Sequence, residues 1–192
     1  MKTIKNEVTS ELEIKNSRFI SYLFPIENDQ IDDILLSLKR EHPKATHICY
    51  AYIYQNIFHY SDDNEPSNTA GLPLYMVLEK NHLNRVLIAV VRYFGGIKLG
   101  AGGLVRAYTK AATTCLEKAT LISLEEGYQV KIKTSYEEVN NLLYLLRNYQ
   151  IKDTNYQEDI TIIAEIPKED ISILHSYSYE ILENILITKN SN

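Results

Sequence analysis

Four cations lie within or beside one glycine cluster. In RYFGGIKLGAGGLVRAYTKAA, residues 92–112, five of the chain's seven glycines fall between Gly95 and Gly103, and Arg92, Lys98, Arg106 and Lys110 surround or interrupt them. The chemistry such a stretch can do is to hold an anion. The free N–H groups of a glycine-rich turn and the positive end of the helix that follows converge on one point. Arg106 and Lys110 continue through Thr113 and Glu117 at helical spacing, so they form a stripe opposite the apolar face. Cations in a first helical turn are unfavourable unless an anion or a carboxylate is near. Arg92 shares a strand face with Val86, Ile88 and Val90, which predicts a partly buried guanidinium in need of a partner. The candidate anion- or partner-binding set is Arg92, Tyr93, Phe94, Gly95, Gly96, Lys98, Gly100, Gly102, Gly103, Arg106 and Lys110.

Two named phosphate motifs are excluded. No Gly-Lys-Ser/Thr occurs, so there is no Walker loop, and Val105 stands where GxGxxG needs its third glycine after Gly100 and Gly102. The plainer alternative is that the glycines only permit a tight turn and close helix–strand packing, with Arg92 paired to Asp62, Asp63 or Glu65. Those three carboxylates and Thr69 form a supporting acidic block in SDDNEPSNTAGLP, with His59 nearby. Such a block could bind a hard cation or do acid–base work, or it could be a solvated turn that partners Arg92 or Arg106. His47 and Cys49 share a strand face with Ala51 and Ile53 and read as a packed pair, since two ligands are too few for zinc. GxSxG is absent, and no motif calls for a metal or a cofactor.

The elements that position these residues follow from periodicity. EVTSELEIK alternates as a half-buried strand, RFISYLFPI is its partner, and Ile31, Ile34, Leu35 and Leu38 mark a helix that Asn28 or Asp29 can cap and Pro43 ends. THICYAYIY is a strand, with a short one beginning near Phe58, and RVLIAVVRYF is a central strand covered on both faces. Leu104, Ala107, Tyr108, Ala111, Ala112, Cys115, Leu116 and Ala119 give the helix after the glycines its apolar stripe. From Gly127 onward the order reads βαββαβ. Ser135 and Glu138 form a capping box for the first of those helices, and Pro167, Glu169 and Asp170 suit the start of the second. The pattern predicts two domains, 1–125 and 126–192. Residues 1–125 carry 14 basic and 14 acidic side chains and residues 126–192 carry 6 and 11, so the net charge of −5 lies in the second. Repulsion makes that half a poor contact surface for nucleic acid. Two unpaired cysteines, a polar N-terminal stretch and the lack of a run of about 20 apolar residues predict a reduced, cytoplasmic protein without a membrane span.

VVRYFGGIKLGAGGLVRAYTKAA resembles the signature of the YigZ/IMPACT family, and NSRFI, HPKATHICYAY and DDNEPSNTAGLP resemble its other blocks in the same order. The acidic block of that family reads DDGEPSGTAG, so Asn64 and Asn68 replace two glycines. Asparagine tolerates positive φ next best, so the turns can survive. The resemblance implies an α+β fold of two domains. The first would have the left-handed βαβ fold of a small-subunit ribosomal protein domain, shared with GHMP kinases. The second would be ferredoxin-like, as in elongation factor G. Eukaryotic relatives regulate translation by competing for the activator of a kinase, which implies a non-enzymatic, translation-linked protein that engages RNA, the ribosome or a protein partner. The alternative is an enzyme or sensor for a small phosphorylated ligand. The kinase pattern puts serines in its glycine loop, and this loop offers no hydroxyl.

Overall fold

The computed structural model describes residues 1–27 and 30–189. Asn28 and Asp29, read as caps for the first helix, lie outside them. The elements run β1 (Lys2–Ile4), β2 (Val8–Ile14), β3 (Ser17–Pro25), α1 (Ile31–Glu41), β4 (His47–Tyr54), β5 (Ile57–Ser61), α2 (Gly71–Lys80), β6 (Val86–Tyr93) and α3 (Ala101–Leu116). They continue with β7 (Leu121–Thr134), α4 (Val139–Leu145), β8 (Gln150–Tyr156), β9 (Ile160–Pro167) and β10 (Ser178–Thr188). The fold is mixed α+β, in two compact units, Met1–Ser123 and Leu124–Asn192.

The first unit is built on an antiparallel sheet in the order β2-β3-β6-β4-β5. The turn between β2 and β3 is Lys15-Asn16, both at positive φ, the conformation whose twist matches a two-residue hairpin. β6 is central and buried along nearly its whole length, because helices cover both faces. Val86, Ile88 and Val90 pack with Leu74 and Leu78 of α2 and Leu104, Tyr108 and Ala111 of α3. Leu87, Ala89 and Val91 pack on the other face with Leu35 and Leu38 of α1. Every residue of the predicted α3 stripe from Leu104 to Cys115 is buried. α2 is a helix the sequence pattern did not announce.

The second unit has the sheet order β10-β7-β9-β8 with all neighbours antiparallel. Val130, Ile132, Ile160, Ile162 and Ala164 form one face of its core, under Leu142 of α4 and Leu146. Two local expectations fail here. The capping box does not close: α4 begins at Val139 without a side-chain cap, and the Ser135 carbonyl accepts from Val139 N at 3.0 Å. The segment after β9, Lys168–Leu174, is a 3₁₀ helix rather than an α-helix. No helix of the described residues is long and apolar enough to cross a membrane.

Candidate anion and partner site

The alternation that turns Val86, Ile88 and Val90 inward carries the Arg92 guanidinium inward too, and the residue is only 4% exposed. Its partner is Glu65. Arg92 Nη1 donates to Glu65 Oε1 at 2.5 Å, and the Tyr108 hydroxyl of α3 donates to the same oxygen at 2.8 Å. The guanidinium also lies over two rings, with Cζ 5.4 Å from the centroid of Phe19 and 5.6 Å from that of Phe94. Its Nε finds no hydrogen-bond acceptor among the described residues. His47 joins from β4. Its Nδ1 lies 2.8 Å from the Asp63 carbonyl, and a carbonyl only accepts, so that nitrogen carries the proton. Nε2 lies 3.8 Å from Glu65 Oε2, at ion-pair distance but beyond hydrogen-bond reach. Cys49 Sγ lies 3.3 Å from the Tyr108 hydroxyl, and burial pushes both the thiol and the phenol well above their ordinary values. Neither is a nucleophile or an acid at neutral pH.

The acidic block is spent on the fold. Asp62 Oδ1 accepts from Ala70 N and Gly71 N at 2.9 and 2.8 Å, and Oδ2 from Asn68 N at 2.8 Å, so it caps α2 from nine residues upstream. Asp63 Oδ2 accepts from Ile48 N at 2.6 Å and ties the block to β4. Thr69 Oγ1 donates to the Pro66 carbonyl at 2.6 Å. Asp63, Asn64 and Asn68 have φ of 40°, 65° and 61°, so both asparagines hold the positive φ that the resemblance requires of glycine. His59 is not part of this cluster. It lies on β5 with its ring 5.8 and 5.9 Å from those of Tyr50 and Tyr52, which overturns the grouping of His59 with the carboxylates. Among the described residues no three His, Cys, Asp or Glu are arranged to hold a metal ion.

The glycine cluster does two different things. A Cβ on Gly95 would come 2.0 Å from the carbonyl carbon and oxygen of Asn16, so this position is a close backbone crossing against the β2–β3 turn. Gly100, at φ 71°, turns the chain into α3. No side chain caps the start of α3, so the N–H groups of Ala101, Gly102 and Gly103 remain open. Lys98, Arg106 and Lys110 are exposed, and none of them has an ion-pair partner among the described residues. The Arg106 side chain lies back along the first turn, with Nη1 3.7 Å from where a Gly102 Cβ would be.

The predicted set therefore divides. Arg92 is an internal cation whose carboxylate is Glu65, whereas Lys98 and Arg106 stand free near the α3 start and Lys110 one turn beyond Arg106. Tyr93 points to the opposite face of the sheet, where its hydroxyl is 2.9 Å from His42 Nδ1. Phe94 is 47% exposed and, with Lys98, Leu99, Leu104 and Pro66, lines a cleft of about 410 Å³ whose floor includes His47, Glu65 and Arg92. The sequence reading missed the part played by His47 and Tyr108, both assigned to packing. Polar groups on otherwise apolar faces were the signal, and it is a weak one.

The Impact N-terminal domain family matches residues 15–116, a span that contains every element of this site. The IMPACT family member YvyE of Bacillus subtilis is 32% identical over 185 residues, covering 93% of this chain and 85% of its own. An IMPACT family member of Thermus thermophilus is 40% identical over 156 residues, covering 80% of this chain and 86% of its own. A solved structure, described as that of a hypothetical protein, superimposes with a TM-score of 0.75 at 28% identity, over 95% of this chain and 97% of that one. With the domain matched and the likeness running through both units, the chain belongs to the IMPACT family.

Proposed function

We propose that this chain is a non-enzymatic, translation-linked binding protein that engages RNA or the ribosome through the face where α3 begins. The observation that carries this reading is the contrast between the two kinds of cation. Arg92 is neutralised inside by Glu65, while Lys98 and Arg106 stand exposed and unpaired near an uncapped helix start, with Lys110 exposed one turn beyond Arg106. Unpaired cations around open backbone donors fit phosphates. The deep thiol and phenol, and acidic side chains committed to backbone donors, offer no group poised for catalysis. Family membership, together with the translational role of the eukaryotic relatives, supports the link to translation. The test is binding of RNA and ribosomes against salt, for wild type and for R106E/K110E. Phosphate contact gives a steep salt slope that the double variant flattens by roughly two counterions. Absence of binding by wild type at low salt would sink the reading.

The cleft favours one alternative, a small phosphorylated ligand seated beside the α3 start. A thermal-shift series with nucleotides and phosphorylated metabolites, with and without magnesium, separates the two. Stabilisation at millimolar ligand supports the small-ligand reading, and its absence counts against it.

A further inference from the structure

The cleft beside Phe94 has a composition that a row of cations does not require. Phe94 leaves β6 with its ring 5.6 Å from the Arg92 guanidinium on one side. Arg92 is itself fixed by Glu65, so the ring rests on a rigid support rather than on a mobile loop. Its remaining surface is open, and Leu99, Leu104 and Pro66 supply further apolar wall. Besides the buried Arg92 Nε, His47 Nε2 is a nitrogen in this lining without a hydrogen bond. Nδ1 is committed to the Asp63 carbonyl, and the nearest Glu65 oxygen to Nε2 is 3.8 Å away, beyond hydrogen-bond reach, so Nε2 is open to a ligand's polar edge. Lys98 is part of the cleft lining, and Arg106 is exposed on the adjoining turns of α3, its Nη1 3.7 Å from where a Gly102 Cβ would be.

We propose that this cleft takes an unpaired base of single-stranded RNA, stacked on Phe94 and hydrogen-bonded at its edge to His47, with the flanking phosphates on Lys98 and Arg106. The inference rests on the RNA reading above and specifies it. Three chemistries meet here, and each competing occupant satisfies fewer of them. A bare phosphate uses the cations and leaves the apolar walls wet. An apolar peptide side chain fills the walls and leaves Nε2 unmatched. A nucleobase has two apolar faces, a polar edge and a phosphate on each side. A volume of about 410 Å³ accommodates a base with its sugar. A duplex keeps its bases stacked on each other and cannot present one, so the strand must be single.

The protein contains no tryptophan, so F94W places a unique fluorophore at the proposed stacking face. Titration with oligo(U) should quench it, whereas oligo(U) annealed to oligo(A), tripolyphosphate and a poly-glutamate peptide should not. In parallel, anisotropy with labelled oligo(U) should show F94A binding about 5- to 150-fold more weakly than wild type with an unchanged salt slope, the range expected for one stacked base. K98E/R106E should lower the slope instead. If F94A binds oligo(U) as wild type does, base stacking is overturned while the phosphate reading stands. Equal binding of the duplex overturns the single-strand requirement, and quenching by poly-glutamate overturns RNA as the occupant. Failure of wild type to bind any RNA at low salt removes both this proposal and the reading beneath it.

Discussion

The Glu65–Arg92 pair allows the strongest test of how the first unit is held together. In E65Q the side chain keeps its volume and can still accept from Tyr108, so the substitution removes the charge alone. The guanidinium and carboxylate are in direct contact and nearly fully buried. With charge centres roughly 4 Å apart and an effective dielectric of about 20, their attraction is about 4 kcal/mol. Leaving Arg92 buried without its counter-charge should therefore cost about 3–5 kcal/mol, and R92M should cost a similar amount by stranding Glu65. The double variant E65L/R92M strands no charge and leaves only the Tyr108 hydroxyl without its acceptor. It should recover most of the loss, because hydrophobic replacement of a buried pair is commonly neutral or better. Urea unfolding followed by circular dichroism gives the three stabilities, and hydrogen exchange of the peptide spanning 86–93 localises the effect to β6. Single-variant losses below about 1 kcal/mol, or a double variant whose loss equals the sum of the singles, would refute the reasoning.

Three further outcomes are expected. D62A removes the acceptor of three backbone N–H groups at the start of α2 and should cost about 1–2 kcal/mol, read as a lower urea midpoint with an unchanged slope. Cys49 and Cys115 should not react with a thiol reagent at pH 8 until the protein unfolds, because burial raises both thiols; prompt labelling of the native protein would contradict this. The same burial sets the alkaline limit. Cys49 and Tyr108 are pushed up by desolvation and Tyr22 is pushed up to about 12, so the fold favours their neutral forms. That stability is complete below the unfolded values of about 8.5 for Cys and about 10 for Tyr. Above them it declines by about 1.4 kcal/mol per pH unit for each deeply buried group. Tyrosinate absorbance should accordingly show a fraction that ionises only together with unfolding.

What the sequence made legible was whatever depends on period. The strand face shared by Val86, Ile88, Val90 and Arg92, and the stripe from Leu104 to Cys115, are spacing arguments, and both hold in three dimensions. The need of Arg92 for a carboxylate was equally clear, but the choice among Asp62, Asp63 and Glu65 was not. It is made by three positive-φ residues that turn two carboxylates onto backbone donors and the third onto the guanidinium. α2 was hidden for a related reason. Gly71 and Pro73 read as a turn, yet proline is tolerated in a first helical turn, and the cap comes from Asp62 rather than from a neighbouring residue. The failed capping box at Ser135 is the converse case. A sequence signature was present, yet α4 starts at Val139, later than the box implies, and takes no side-chain cap.

Gly102 has a consequence for anyone who would make this protein hardier. Its backbone is helical and a methyl group there would touch only Arg106, at an ordinary contact distance. Alanine should therefore raise helix stability by up to about 1 kcal/mol. The molecule instead keeps bare backbone where Lys98 and Arg106 meet an open helix start. At this one position, durability and access compete for the same few cubic ångströms. A variant selected only for heat resistance would drift toward closing the surface through which the protein is proposed to work.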